Sequence, residues 1–208
     1  IGGKYKGEPI GNGRYSDITV FSFHPVKIIT TAEGGMALTN NAELAGRMSL
    51  LRSHGITRDP GQMTHVADGP WYYQQIDIGF NYRMTDLQGA IGRVQLSRLP
   101  VMIEERREQA LTYQQLLSTI SGIQLPFEPE WARSNWQSYC VRLTERTELL
   151  TVMQALLDEG ISTRRGIMCA HREPAYSGTD SWSCTGRIAG NKCGCLPAKC
   201  HCLSESEQ

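Results

Sequence analysis

No run of apolar residues in this sequence approaches the roughly 18–20 that a membrane-spanning helix needs, and no basic-then-apolar start marks a secretory leader. A cytoplasmic protein is the default expectation. Charge imbalance is absent too: 21 Lys and Arg face 21 Asp and Glu. That removes the electrostatic footprint of a nucleic-acid binder or of a protein held on an anionic membrane. There is no internal repeat and no initiator Met. The opening Ile1-Gly2-Gly3-Lys4-Tyr5-Lys6-Gly7 reads as the middle of a loop, so a lost N-terminal portion is expected. Cysteine is scarce until the tail, with only Cys140 and Cys169 before position 184.

What the sequence has is 208 residues, 40% of them hydrophobic, enough for a sizeable core. Ser16 to Phe23 is a β-rich run that ends at His24-Pro25. Ile28 to Thr31 and Met36 to Thr39 flank the turn Ala32-Glu33-Gly34-Gly35 and read as a hairpin or paired short strands. Asn40 or Asn41 caps a helix through Leu51, with Gly55 at its end. A loop-like stretch from Ile56 to Ile78 is of the length that is usually functional or disordered. Thr85-Asp86 then caps a helix through Leu99, with Leu87, Ile91, Val94 and Leu99 on one side. Pro100 should break it, leaving Met102 to Leu117 as a second helix. Strands at Gln137 to Leu143 and Ile161 to Ile167 around a helix at Glu148 to Leu157 predict a small α/β unit.

The chemistry concentrates in Ser22-Phe23-His24-Pro25-Val26-Lys27. A strand ends, Pro25 extends the residue before it, and Lys27 lies between Val26 and Ile28. An amine in apolar surroundings loses hydration, which favours its neutral, nucleophilic form. The competing reading is a snorkelling strand lysine. Ser22 and nearby N–H groups could hold a phosphate, and Thr30 and Thr31 place further hydroxyls after the lysine. Asn81 and Arg83, in Gly79-Phe80-Asn81-Tyr82-Arg83-Met84-Thr85, could form an anion clamp; an Asn turn beside a surface Arg is the alternative.

Together these segments resemble a known family. Ser22 to Gly35 looks like the Schiff-base motif of the DegT/StrS group of sugar-nucleotide aminotransferases. Arg52-Ser53-His54-Gly55-Ile56 and Gly79 to Asp86 match two further signatures of that group in the expected order, and the resemblance runs from Ile1 to Tyr176. It implies an α/β protein of the pyridoxal 5'-phosphate (PLP) transferase fold type I, like aspartate aminotransferase. Residues 1–98 would be the end of the large cofactor-binding domain and 99–208 the small domain. Lys27 would bond PLP and move the proton during transamination, Ser22 would bond the phosphate, and Asn81 would reach the phosphate of a partner subunit in a homodimer with shared sites. Arg83, His171 and His24 would meet substrate, with turn-shaping the competing role for His24. The substrate would be a nucleotide-linked keto sugar, 4-keto rather than 3-keto, aminated from glutamate for cell-surface polysaccharide or glycan synthesis. The aromatic tract Trp71-Tyr72-Tyr73 and the basic tract around Arg164 and Arg165 point to different sugars.

Two departures accompany the resemblance. The group carries a phosphate loop, a PLP-stacking aromatic and a pyridine-binding Asp ahead of the position of Ile1, so this chain alone is expected to be inactive. Residues 178–203 lose all periodicity while collecting Cys184, Cys193, Cys195, Cys200, His201 and Cys202. Their C-x-C pairs match zinc spacing poorly, and a frame-shifted segment without a metal site is the better reading. The alternatives are a non-catalytic regulator or sensor of the same fold and a PLP-dependent sugar dehydratase. The dehydratases carry His at the lysine position, which Lys27 argues against.

Overall fold

The computed structural model describes residues 1–144, 148–166 and 173–176. The chain divides into two compact units, Ile1–Arg146 and Thr147–Gln208. In the first, β1 (Lys4–Tyr5) lies between β2 (Glu8–Pro9) and β8 (Ala132–Arg133), antiparallel to both. β3 (Thr19–Ser22) pairs antiparallel with β4 (Gly35–Leu38), from Thr19 opposite Leu38 to Ser22 opposite Gly35. The short strands β5 (Ile56–Thr57) and β6 (Gln74–Gln75) pair likewise, as do β7 (Ile123–Gln124) and β9 (Arg142–Leu143).

The hairpin expected between residues 28–31 and 36–39 is corrected: the partner of β4 is β3. Pro25 takes the chain out of the sheet, and Ile28, Ile29 and Thr31 are then buried as a loop. Consecutive burial of Ile28 and Ile29 is incompatible with one-sided strand alternation, so the core wins over β propensity. These residues, with Phe23 and Ile103, make the apolar core, against which Phe21, Met84, Leu99 and Met102 pack.

Helix α1 (Ala42–Arg52) starts where Asn41 accepts the N–H groups of Glu43 and Leu44 at 2.9 and 3.1 Å. Helix α2 (Asp86–Leu117) starts in a capping box: Thr85 accepts from Gln88 N–H, and the Gln88 side chain accepts from Thr85 N–H. The expected break at Pro100 does not occur, and one helix of 32 residues runs through it. A proline there costs about 3 kcal/mol. Leu99, Met102 and Ile103 beside it bury against the core, and the carbonyl that loses its donor belongs to Leu96, on an exposed part of the helix. Of the apolar side expected for this helix, Leu99 packs on the core, whereas Leu87, Ile91 and Val94 are exposed.

A strap over residues 128–137 is clamped to α2. The Arg107 guanidinium donates to both carboxylate oxygens of Glu128 at 2.9 Å and to the Ser134 carbonyl at 3.0 Å. Those hydrogen bonds outweigh desolvation and hold the Glu128 carboxyl below its usual range, while the same contacts push Arg107 up. The folded chain therefore binds this proton less tightly than the unfolded chain, so acid favours unfolding. Glu128→Gln is expected to cost about 1–3 kcal/mol at pH 7. The gap to the parent should narrow as pH falls below about 4.3, as urea denaturation at pH 7 and pH 3.5 would measure. A gap independent of pH would remove the carboxylate from this account.

In the second unit, α3 (Leu149–Asp158) ends in a Schellman turn: Gly160 N–H donates to Leu157 O and Ile161 N–H to Leu156 O, with Gly160 at φ +79. The strand expected from Ile161 is not formed over residues 161–166, and the expected strand from Gln137 shrinks to β9. His171 and the cysteine-rich tail lie outside the described residues. Among the described residues no helix is long and apolar enough to cross a membrane, and no group of His, Cys, Asp and Glu could hold a metal.

Candidate active site

The lysine sits on a turn that the sequence builds directly. Pro25 fixes φ at the second position of His24-Pro25-Val26-Lys27, and Lys27 N–H donates to His24 O at 2.9 Å. Phe23 closes the loop at its base: its N–H donates to Gly34 O at 2.9 Å, and its carbonyl accepts from Thr31 N–H at 3.0 Å and Thr30 Oγ1 at 2.9 Å. Thr31 is 1% exposed, and its hydroxyl donates to Glu33 O at 2.7 Å. The two threonine hydroxyls therefore hold the loop in shape and are not spare ligand donors. Gln88, in the first turn of α2, donates to the same Glu33 carbonyl at 2.9 Å. Gly92 supplies the room, since a Cβ there would stand 3.0 Å from Thr31.

Ser22 ends β3 facing solvent, and its Oγ accepts from His24 N–H at 3.4 Å. His24 Nδ1 accepts from Val26 N–H at 3.4 Å, and its Nε2 lies 3.9 Å from Glu33 Oε1. An accepting Nδ1 puts the neutral imidazole's proton on Nε2, toward that carboxylate. His24 thus braces the turn through its carbonyl and its Nδ1.

Lys27 itself is exposed. Val26 on one side is 63% exposed while Ile28 on the other is 6% exposed, so the apolar enclosure expected on both sides is present on one. Among the described residues, the Lys27 amine has no hydrogen-bond or ion-pair partner, nor do the Asn81 amide and the Arg83 guanidinium.

The other two motifs interlock backbone to backbone. Phe80 N–H donates to Leu51 O at 2.7 Å, His54 N–H to Phe80 O at 2.8 Å and Tyr82 N–H to Arg52 O at 3.0 Å, with Ser53 and Asn81 bridged. Arg47 pairs with Asp77 beside them. Gly55, at φ +69, and Gly79 permit this closeness. Met84 carries the third motif onto the core of Phe23 and Ile28, beneath the lysine loop. Asn81 and Arg83 leave this joint exposed. The long loop between β5 and β6 is pinned by Gln74, which bonds Thr64 and His65, and by His65 to Tyr72 at 2.7 Å. Tyr72 is thereby tucked in, while Trp71 and Tyr73 face outward at 71% and 51% exposure.

The sequence reading missed Gln88 and Gln137. Gln137 donates to the Val26 carbonyl at 2.7 Å across 111 positions. A capping-box pattern at Thr85 and Gln88 signals the first; nothing local signals the second.

Comparison with known proteins places the site in a wider setting. A sequence model described as the DegT/DnrJ/EryC1/StrS aminotransferase family matches residues 1–198. The chain is 34% identical over 185 residues to the uncharacterized protein MJ1066 of Methanocaldococcus jannaschii, covering 86% of this chain and 46% of that protein. It is 43% identical over 108 residues to the UDP-4-amino-4,6-dideoxy-N-acetyl-beta-L-altrosamine transaminase of Campylobacter jejuni, covering 52% of this chain and 26% of that enzyme. In structure it is similar to Helicobacter pylori PseC, an aminotransferase involved in pseudoaminic acid biosynthesis, with TM-score 0.75 and 27% identity over 85% of this chain and 45% of that one. The sugar aminotransferase homologue Spr1654 of Streptococcus pneumoniae, in its PMP form, gives TM-score 0.71 and 30% identity over 85% of this chain and 43% of that one. The chain thus spans about half the length of the M. jannaschii relative and of these structures.

Proposed function

The chain belongs to the DegT/DnrJ/EryC1/StrS aminotransferase family, and on that premise we propose that it carries the lysine of a PLP-dependent transaminase for nucleotide-linked keto sugars. Its fold is the α/β transferase fold of those enzymes, and its cofactor is PLP, in keeping with a pneumococcal relative solved in PLP and PMP forms. The observation that carries the proposal is the Lys27 amine, unpartnered among the described residues, on a turn locked by Phe23 and His24.

The donor set fits the cofactor. An amine without an internal partner suits an aldehyde, and the Ser22 hydroxyl keeps its proton free to donate to a phosphate. When bound, PLP supplies an electron sink for the carbon that carries the amino group. Lys27 Nζ would anchor the cofactor and, once the donor's amine has displaced it as a free amine, would take the proton from the amino-bearing carbon of the donor and return one to the sugar carbon that receives nitrogen. His24, Gln88 and Phe23 keep the turn from yielding while that proton moves.

The finer reading follows the family. The acceptor is a 4-keto nucleotide sugar, the donor is glutamate and the product feeds cell-surface glycan synthesis. Asn81 serves the partner subunit's phosphate in a cytoplasmic homodimer, Arg83 near it and His171 meet the substrate, and His24 shapes the turn that carries Lys27. Residues 1–98 end the large domain and 99–208 form the small one. Because Lys27 is exposed, water competes at this site until further protein covers it. The 208 residues alone should therefore hold PLP weakly and turn over no substrate.

The test is reconstitution of a full-length protein carrying this sequence with PLP, followed by borohydride reduction and peptide mass analysis. The pyridoxyl mass is expected on the peptide containing Lys27, together with glutamate-dependent amination of a UDP-linked 4-keto sugar. A pyridoxyl group on another lysine, or none, sinks the proposal.

A further inference from the structure

We propose that Gln137 is a positioning residue for Lys27, presented to the lysine turn by the strap of residues 128–137 that α2 holds in place. This rests on reading Lys27 as the reactive amine. The turn has an anchored side and a loose side. Ile28 and Ile29 fix the side after the lysine into the core, at 6% and 2% exposure. The side before it, Pro25 and Val26, is exposed. Among the described residues, one hydrogen bond reaches residues 25–27 from a distant part of the chain, and it is the 2.7 Å bond from Gln137 Nε2 to Val26 O.

That acceptor is well chosen for control of the lysine. The Val26 carbonyl and the Lys27 nitrogen belong to one planar peptide unit. Lys27 N–H is already held by His24 O at 2.9 Å. Fixing the carbonyl as well pins both ends of the plane, and with it the direction in which the Lys27 side chain leaves the backbone. Without Gln137 the plane can pivot about its single remaining bond.

The strap is built to deliver this amide. Trp136, the residue before Gln137, adopts φ +46, a left-handed conformation that is a genuine outlier for a bulky side chain. Such strain persists only where the surroundings over-determine it, and here they do. Trp136 N–H donates to Ser134 Oγ at 3.1 Å, and its carbonyl accepts from Arg106 at 3.2 Å. Ser134 is held by Arg107 through its carbonyl and by Glu128 through its N–H. Gln137 N–H donates to Asn135 Oδ1 at 3.2 Å. Two consecutive arginines of α2 thus fix the kink from which the Gln137 side chain reaches the turn.

The experiment uses full-length protein and the variant Gln137→Met, which keeps the length of the side chain and removes the donor. In cofactor-free protein, hydrogen exchange at the Lys27 amide should speed up about fivefold to tenfold. The amides of Val20 and Ala37 in the β3–β4 pair and the thermal midpoint should stay as in the parent. With PLP added, borohydride-quenched samples should show pyridoxyl attachment at Lys27 slowed by a similar factor, with kcat reduced and KM for the donor retained. Parent-like exchange and attachment in Gln137→Met would overturn the proposal. So would a change spread over Val20, Ala37 and the thermal midpoint, which marks a general structural role. Failure of the Lys27 reading shows separately, as absence of pyridoxyl at Lys27 in the parent.

Discussion

Lys27→Ala in a full-length protein carrying this sequence is expected to lower turnover by about a thousandfold or more, the scale seen when a group that forms the covalent bond in catalysis is removed. The size follows from what the residue does twice. On the reading proposed above, its amine anchors the cofactor and the same nitrogen carries the proton between donor and sugar, so one substitution removes both roles. Neighbours cannot take over: Thr30 and Thr31 spend their hydroxyls on Phe23 and Glu33, and His24 Nδ1 is engaged by Val26 N–H. Folding should be untouched, because Lys27 is exposed and its side chain holds nothing among the described residues. Nucleotide-sugar binding should persist within a few-fold, measured by titration calorimetry beside single-turnover kinetics. Lys27→Arg separates charge from chemistry: it keeps a cation, cannot serve as a neutral nucleophile, and should be as inactive as alanine. Turnover of either variant within tenfold of the parent contradicts the assignment.

The lysine was legible because its signals are local. A strand that stops at His24-Pro25 marks where the chain leaves the sheet, and the structure bends there. Caps were legible for the same reason, since Asn41 and Thr85 act on N–H groups two or three residues away. Contacts across long separations were not. The partner of β4 is β3 rather than residues 28–31, a choice made by burial of Ile28 and Ile29 and not by β propensity. Pro100 was overruled because Leu99 and Ile103 bury on either side of it, a tertiary gain that helix propensity does not contain. Of the two apolar neighbours from which desolvation of Lys27 was argued, Ile28 alone is buried, and Lys27 itself is exposed, because an apolar neighbour in sequence need not cover a side chain in space. The three motifs of the site were each visible, yet nothing in their spacing showed that the second and third touch through backbone atoms.

That touch carries the second large prediction. Gly79→Ala is expected to destabilise the full-length protein by about 3–5 kcal/mol, in the exceptional range for one substitution. The added Cβ would stand 2.6 Å from the His54 carbonyl carbon and 2.7 Å from Leu51 O, and closer still to Gly55 N. All three are backbone atoms at the end of α1, so no rotamer change relieves the clash. Separation of the two segments would break the bonds from Phe80 to Leu51 and from His54 to Phe80, leaving polar groups to be paired again with water. Asn81 and Arg83 ride on this joint, so the place proposed for them at the site goes with it. Gly46→Ala is the control. Gly46 lies within α1 with open space around it, and alanine there should stabilise the helix by roughly 0.5–1 kcal/mol. Urea denaturation of the pair measures both signs in one experiment. If Gly79→Ala lost less than about 1 kcal/mol, the size of an ordinary substitution, the close approach of Gly55 and Gly79 would not be what seats Asn81.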